Sequence, residues 1–361
     1  MKKNIIASLS AVFLILTLVG GKTFAQQPKP QTKHIHTHND DQDFDNNGHL
    51  PGTWSAVIKD GVANIEFFGE HSSDGRDFTV AELGTLPTDK IGDFSLTRES
   101  GKLSFRGVFQ DHWGHGTYQF NENLDFKAYL AQKGYTGLDK ELILNIFFTD
   151  INKNYFDFLK SNGYPSISNN QLKDLAEQDL NRKVLEDYFN LFKTEGYGHQ
   201  SINKIVELRE HGVNARFVNS FHQAGYKDIP LERALELRDH GVTVEYISSI
   251  QKIGYEKVTL ERAQELRDHG VTTEFISDMQ NIGYKDISLE KAQELRDHGV
   301  NPEFIKSIAA LGFKDITLDQ AQELRDHGVN AAFIKKAQGK GMNLHSLDDY
   351  IRLRDTGFSE E

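Results

Sequence analysis

Three groups of residues combine type and spacing in ways that could do chemistry. His34, His36 and His38 alternate in a run that continues through Asp40, Asp41, Asp43 and Asp45, and imidazole with carboxylate is a suitable ligand set for a transition metal. Asp43-x-Asp45-x-Asn47-Gly48 also opens like a calcium loop. Its twelfth position falls on Trp54, where a bidentate glutamate is needed, so the match breaks where affinity is made. The second group, Asp111-His112-Trp113-Gly114-His115-Gly116, sets two histidines three apart beside an aspartate, a spacing for metal ligation or proton shuttling. A solvated linker is the plainer expectation for the first group, and a glycine-rich turn between strands for the second. No metal or other cofactor is assigned to either.

The third group is a repeated phrase. ELRDHGV stands at 236–242, 265–271, 294–300 and 323–329, with a near copy, ELREHGV, at 207–213 and a worn one, RLRDTGF, at 352–358. It aligns Arg209, Arg238, Arg267, Arg296 and Arg325 in one column and Asp239, Asp268, Asp297 and Asp326 in another. His211, His240, His269, His298 and His327 form a third. Repeated arginine forks can take the carboxylates of an extended partner, so the arginine and aspartate columns are the candidate binding residues. The competing expectation is structural: arginine and aspartate pair between adjacent repeats while histidine supports the helix end. Equivalent helices stack roughly 8 to 10 Å apart, which does not favour a regular metal ladder on the histidines.

Composition removes several function classes. The 361 residues contain no cysteine, which excludes disulfides, thiolate nucleophiles and thiolate zinc sites. A formal net charge of −12 argues against nonspecific binding to nucleic acid or anionic lipid. No H-E-x-x-H, G-x-S-x-G, P-loop or dinucleotide fingerprint occurs, so no catalytic residues are assigned.

The elements that must position these residues follow in chain order. Residues 1–25 have the form of a signal peptide: Lys2 and Lys3 precede an apolar run from Ile5 to Val19, and Thr23-Phe24-Ala25 offers a cleavage site after Ala25. The mature chain is then extracytoplasmic, periplasmic or secreted, with no membrane span. Residues 26–50 are the polar linker. Residues 51–125 alternate as a small β-rich domain. Five strands are expected, with hairpin turns at Asp60-Gly61 and Ser100-Gly101. The segment Phe78 to Pro87 is expected to be a helical turn across a face or edge of the sheet.

Residues 126–361 are expected to form an α-solenoid, giving an α+β chain. The glycines Gly212, Gly241, Gly270, Gly299, Gly328 and Gly357 recur every 29 residues, a period that marks stacked two-helix units. In the unit starting at Ser288, that serine caps a first helix of about eleven residues closed by Gly299 in a Schellman-type turn. Asn301 caps a second helix that buries Phe304, Ile305, Ile308 and Leu311. Degenerate repeats occupy 126–196, where Asp150 replaces a capping glycine; regular repeats occupy 197–341, and a closing half repeat 342–361.

FSLTRESGKLSFRGVFQ, the glycine turn followed by GTYQFNEN, and the GY…LRDHGV repeats together resemble a known arrangement. It is that of the extracytoplasmic tails of bacterial membrane metallopeptidase antirepressors of the β-lactam-sensor type, and of their stand-alone relatives. The peptidase half, with its membrane helices and zinc motif, has no counterpart in this sequence, so proteolysis and antibiotic sensing do not carry over. The resemblance implies an exported β-plus-solenoid module. The leading expectation is a non-enzymatic interaction protein that binds a protein or peptide of the cell envelope through its repeats. The alternatives are a small-molecule or metal-binding enzyme centred on the β-rich domain and a structural envelope spacer.

Overall fold

The computed structural model describes residues 49–69 and 73–358. The expected signal peptide and most of the linker, including His34, His36 and His38, lie outside the described residues. The fold is α+β, an antiparallel sheet followed by paired helices.

Six strands form the sheet, not five: β1 (His49–Lys59), β2 (Val62–Phe68), β3 (Ser73–Thr79), β4 (Gly92–Arg98), β5 (Gly101–Gln110) and β6 (Trp113–Glu122). Their spatial order is β3-β2-β1-β6-β5-β4. The unexpected strand is β3, with the sequence SDGRDFT. It buries only Phe78 and carries charge along the sheet edge, so it lacks the apolar alternation that announces a strand while serving to blunt that edge. The helical turn expected after it is a single turn, α1 (Val80–Leu83), held by a capping box between Thr79 and Glu82.

The sheet is rolled. Three strand spacings separate β2 from β5, about 14 Å in a flat sheet, yet the rings of Phe67 and Phe105 are 6.0 Å apart. The inner face closes on Trp54, Phe67, Phe94, Phe105, Phe109 and Phe120, all buried. The glycines of the DHWGHG run have their reason here. Only Asp111-His112 forms a turn, and Trp113 onward is strand. A Cβ on Gly114 would lie 2.5 Å from the ring of Phe109, so the sequence stays bare to admit that ring.

Helices α2 (Leu124–Gln132), α3 (Lys140–Phe148), α4 (Lys153–Ser161), α5 (Asn169–Glu177) and α6 (Arg182–Glu195) follow. Phe147 and Phe148 at the end of α3 enter the sheet core, within 5.2 Å of Phe120 and 5.0 Å of Phe67 respectively. Sheet and helices thus share one continuous core.

Beyond α6 the first helices of the regular repeats are Ile202–Glu210, Leu231–Asp239, Leu260–Asp268, Leu289–Asp297 and Leu318–Asp326. The second helices are Ala215–Gln223, Val244–Lys252, Thr273–Asn281, Pro302–Ala309 and Ala331–Gly339, and Leu347–Asp355 closes the array. The first helix after Ser288 spans nine residues, shorter than the eleven expected, because its last turn is given over to the cap. Ser288 accepts the Lys291 N–H at 3.0 Å and Asn301 that of Phe304 at 2.8 Å. The Val300 N–H returns to the Leu295 carbonyl at 2.7 Å, the Schellman closure.

Repeats are also tied by a tyrosine file. The tyrosine after each second-helix glycine donates its hydroxyl to a carbonyl of the next repeat: Tyr197 to Ile229 at 2.6 Å, Tyr226 to Val258 at 2.6 Å and Tyr284 to Ile316 at 2.5 Å. Phe313, lacking the hydroxyl, instead meets Tyr350 edge-on at 5.8 Å.

Candidate functional site

The repeated columns form a ladder, but not with the arginine–aspartate rungs expected. Histidine takes the aspartate of the next repeat: His211 to Asp239 at 2.5 Å, His269 to Asp297 at 2.6 Å, His298 to Asp326 at 2.6 Å, and His240 to Asp268 likewise. His327 ends the series on Asp355 at 2.8 Å. Histidine is the C-cap of one first helix and aspartate the last residue of the next, and these two types meet across the repeat.

Arginine turns instead toward the second helix of the preceding repeat. The guanidinium of Arg238 lies 5.3 Å from the Phe217 ring, Arg267 4.7 Å from Tyr246, Arg296 5.3 Å from Phe275 and Arg325 4.8 Å from Phe304. Arg267 Nε donates to the Gly241 carbonyl at 3.0 Å and Arg325 Nε to Gly299 at 2.8 Å. Arg209 makes the corresponding bond to Gln178 at 3.0 Å. The capping glycine serves this contact as well as its left-handed backbone. A Cβ on Gly241, whose φ is +65°, would stand 3.1 Å from Arg267 Nη2.

Each of Arg238, Arg267, Arg296 and Arg325 remains exposed. The ring fixes each guanidinium, joined by a carbonyl at Arg267 and Arg325, while the terminal nitrogens make no hydrogen bond with the described residues. A second file escaped sequence reasoning. Lys204, Arg233, Arg262 and Lys291 each bind a glutamate one turn on, at 2.8 to 3.0 Å, and reach an acidic residue of the next repeat. Their 29-residue spacing was available in the sequence, outside the most faithful phrase.

His112 and His115 are both exposed, the first in the turn and the second on the outer face of β6 between Ser55 and Val108. Among the described residues no three histidine, aspartate or glutamate side chains gather to hold a metal ion. No described helix is long and apolar enough to cross a membrane.

A cavity of about 860 Å³ opens where the sheet meets the first helices, and sequence reasoning missed it. The β4–β5 hairpin grips the α3–α4 turn there. Arg98 Nη1 donates to the last carbonyls of α3, Phe147 at 2.6 Å and Phe148 at 2.7 Å, a cation on the negative end of the helix. Next to it, Glu99 accepts the first N–H of α4, that of Lys153, at 2.9 Å. From β3, Arg76 is held by Asp74 at 2.8 Å and covers the Phe148 ring at 5.1 Å.

Facing these arginines are Asp150 and Asp179, 3.9 Å from Arg98 Nε and 4.0 Å from Arg76 Nη1. Burial raises the pKa of both carboxyls, and the neighbouring arginines offset that rise only in part. Burial also pushes the Tyr155 hydroxyl upward, and it donates to the Leu180 carbonyl at 2.7 Å. At Glu82 burial acts in the same direction, but hydrogen bonds from Thr79 and the Arg98 charge prevail and hold the carboxyl below its usual value.

Asp150 and Asp179 sit at φ +54° and +49°, where the later repeats place glycine. The left-handed region costs an L-residue about 1 to 2 kcal/mol, least for aspartate and asparagine. This conformation turns both side chains toward the cavity they line. The cavity walls come from β2, β3, β4 and the turns after α3 and α5, more than a hundred residues of chain, and no local spacing announces them.

No family model, curated protein or solved structure matches the chain.

Proposed function

We propose that the protein is a non-enzymatic, exported interaction module that binds an extended, carboxylate-bearing protein or peptide segment of the cell envelope along its arginine column. The carrying observation is the set of four exposed guanidinium groups at constant period, each fixed by an aromatic ring and two of them also by a carbonyl. A guanidinium held this way loses little freedom when its terminal nitrogens take a carboxylate, so the forks are organised in advance. The neighbouring aspartates are engaged by histidine, which leaves arginine as the column able to accept a partner. Export rests on the form of residues 1–25, and the envelope setting on the resemblance of the repeats.

The test is a pull-down from envelope extract with the full chain, competed by a glutamate-rich peptide. The control is the triple variant Arg238→Met, Arg267→Met, Arg296→Met, which keeps an unbranched side chain over each ring. Expected is a partner captured by the native chain, displaced by the peptide and by salt, and lost in a variant that retains its helical circular dichroism. Equal capture by a folded triple variant would overturn the proposal.

A further inference from the structure

We infer that the cavity between the rolled sheet and the first helical turns binds a polyhydroxylated ligand, a mono- or oligosaccharide. Its volume, about 860 Å³, is that of a small-ligand site. The lining combines hydrogen-bond donors and acceptors on planar groups: the guanidiniums of Arg76 and Arg98, held by their protein partners, the carboxylates of Asp150 and Asp179, and carboxamides including Asn152 and Asn181. A hydroxyl both donates and accepts, so a sugar needs donors beside acceptors, which is what this wall offers.

The carboxamides favour the same ligand. Asn152 and Asn181 each commit the side-chain oxygen to a helix cap, accepting from Tyr155 N and Val184 N at 3.0 Å. What each has left is therefore its donor end, which at Asn152 is directed at the Asp150 carboxylate. Charge points the same way. Four cationic and five anionic side chains line the space, so a ligand of either sign would meet repulsion as well as attraction, whereas a neutral polyol meets only hydrogen-bonding partners.

The repeat pattern supplies an independent argument. At Asp150 and Asp179 the array departs from its own glycine rule, and both departures face this cavity. Restoring glycine removes the two carboxylates while giving the backbone the residue that the later repeats use there. None of the four exposed arginines Arg238, Arg267, Arg296 and Arg325 lines this site, so it does not depend on the partner binding proposed for them.

The experiment is calorimetric titration of the full chain with maltose, cellobiose and N,N′-diacetylchitobiose, with glutamate and spermidine as charged controls. Each titration is repeated on the double variant Asp150→Gly, Asp179→Gly and on Asn154→Ala, an exposed position whose side chain makes no hydrogen bond with the described residues. Expected is saturable binding of at least one disaccharide, weakened tenfold or more in the double variant and less in Asn154→Ala. Helical circular dichroism checks that the double variant folds, since the two carboxylates also face Arg98 and Arg76. The inference is overturned if none of the disaccharides binds, if only glutamate or spermidine binds, or if disaccharide binding survives unchanged in the folded double variant. Should the double variant fail to fold, unchanged disaccharide binding by Asn154→Ala overturns it.

Discussion

The turn that ends each first helix is built in two ways, and the contrast separates stacking from docking. In the regular repeats the residue after the cap is glycine at φ +65° to +70°, and the arginine of the next repeat lies against it, except at the closing Gly357. In the two repeats beside the sheet the same place holds Asp150 and Asp179, which face Arg98 of β4 and Arg76 of β3, while Arg209 of the next repeat also lies close to Asp179. Where the turn meets only the array's own next copy, the residue is glycine. Where it must accept a different domain, a side chain of opposite charge is placed there. One backbone turn thus serves as a stacking surface or as a docking contact, according to one residue.

Breaking the docking side should have the largest effect. Arg98 satisfies two carbonyls from a largely buried position, and charge-assisted hydrogen bonds contribute about 1.5 to 3 kcal/mol each. Arg98→Met is expected to cost about 3 kcal/mol. Urea unfolding followed by tryptophan fluorescence, with Trp54 in the sheet core, should then precede the loss of helical circular dichroism. Coincident and unshifted transitions would show that the hairpin's grip on α3 does not hold the sheet.

Breaking the stacking side should cost less. Gly241→Ala forces a left-handed alanine and brings its Cβ to 3.1 Å from Arg267 Nη2, an expected loss of about 2 kcal/mol. Part of that loss belongs to the arginine. In an Arg267→Met background the same substitution should cost about 0.5 kcal/mol less, the coupling expected of residues in contact. Equal costs in the two backgrounds would reduce the glycine to a backbone requirement alone.

The regular repeats were legible in the sequence because their physics is local and recurs. Caps such as Ser288 and Asn301, the glycine closures and the apolar stripe of Phe304, Ile305 and Ile308 all lie within one period. The rungs were less legible. Arg267 has both Asp268 beside it in the chain and Tyr246 in the preceding repeat, and nothing in a linear pattern says that the ring receives it while the aspartate goes to His240. Strand β3 was hidden because an edge strand needs one buried residue, Phe78, and otherwise reads as a charged loop. The cavity was hidden for a different reason: Arg76, Arg98, Asp150 and Asp179 are brought together by the sheet rolling onto α3, an event no spacing records. Asp150 itself was visible as a missing glycine, and that irregularity was the one local sign of the site.

The smallest effect should appear at the far end of the ladder, where the last rung joins a full repeat to the closing helix. The hydrogen bond to Asp355 raises the His327 pKa, with Asp326 and Glu323 adding to it and burial opposing it. The folded chain therefore holds this proton at pH values where the unfolded chain, titrating near 6.5, has released it. More protons bound in the folded state means that stability falls as pH rises. The contribution is complete below about 6.5 and disappears as pH passes the folded value. In Asp355→Asn the histidine loses its charged partner, so thermal unfolding between pH 6 and 8 should slope less steeply than in the native chain. Because pair and solvent are in open contact, with His327 42% and Asp355 53% exposed, the difference should also shrink with added salt. A pH slope identical in the two proteins would mean that the final rung is a contact without a charge, and that the closing helix is held by packing such as that of Tyr350, Leu347 and Phe358.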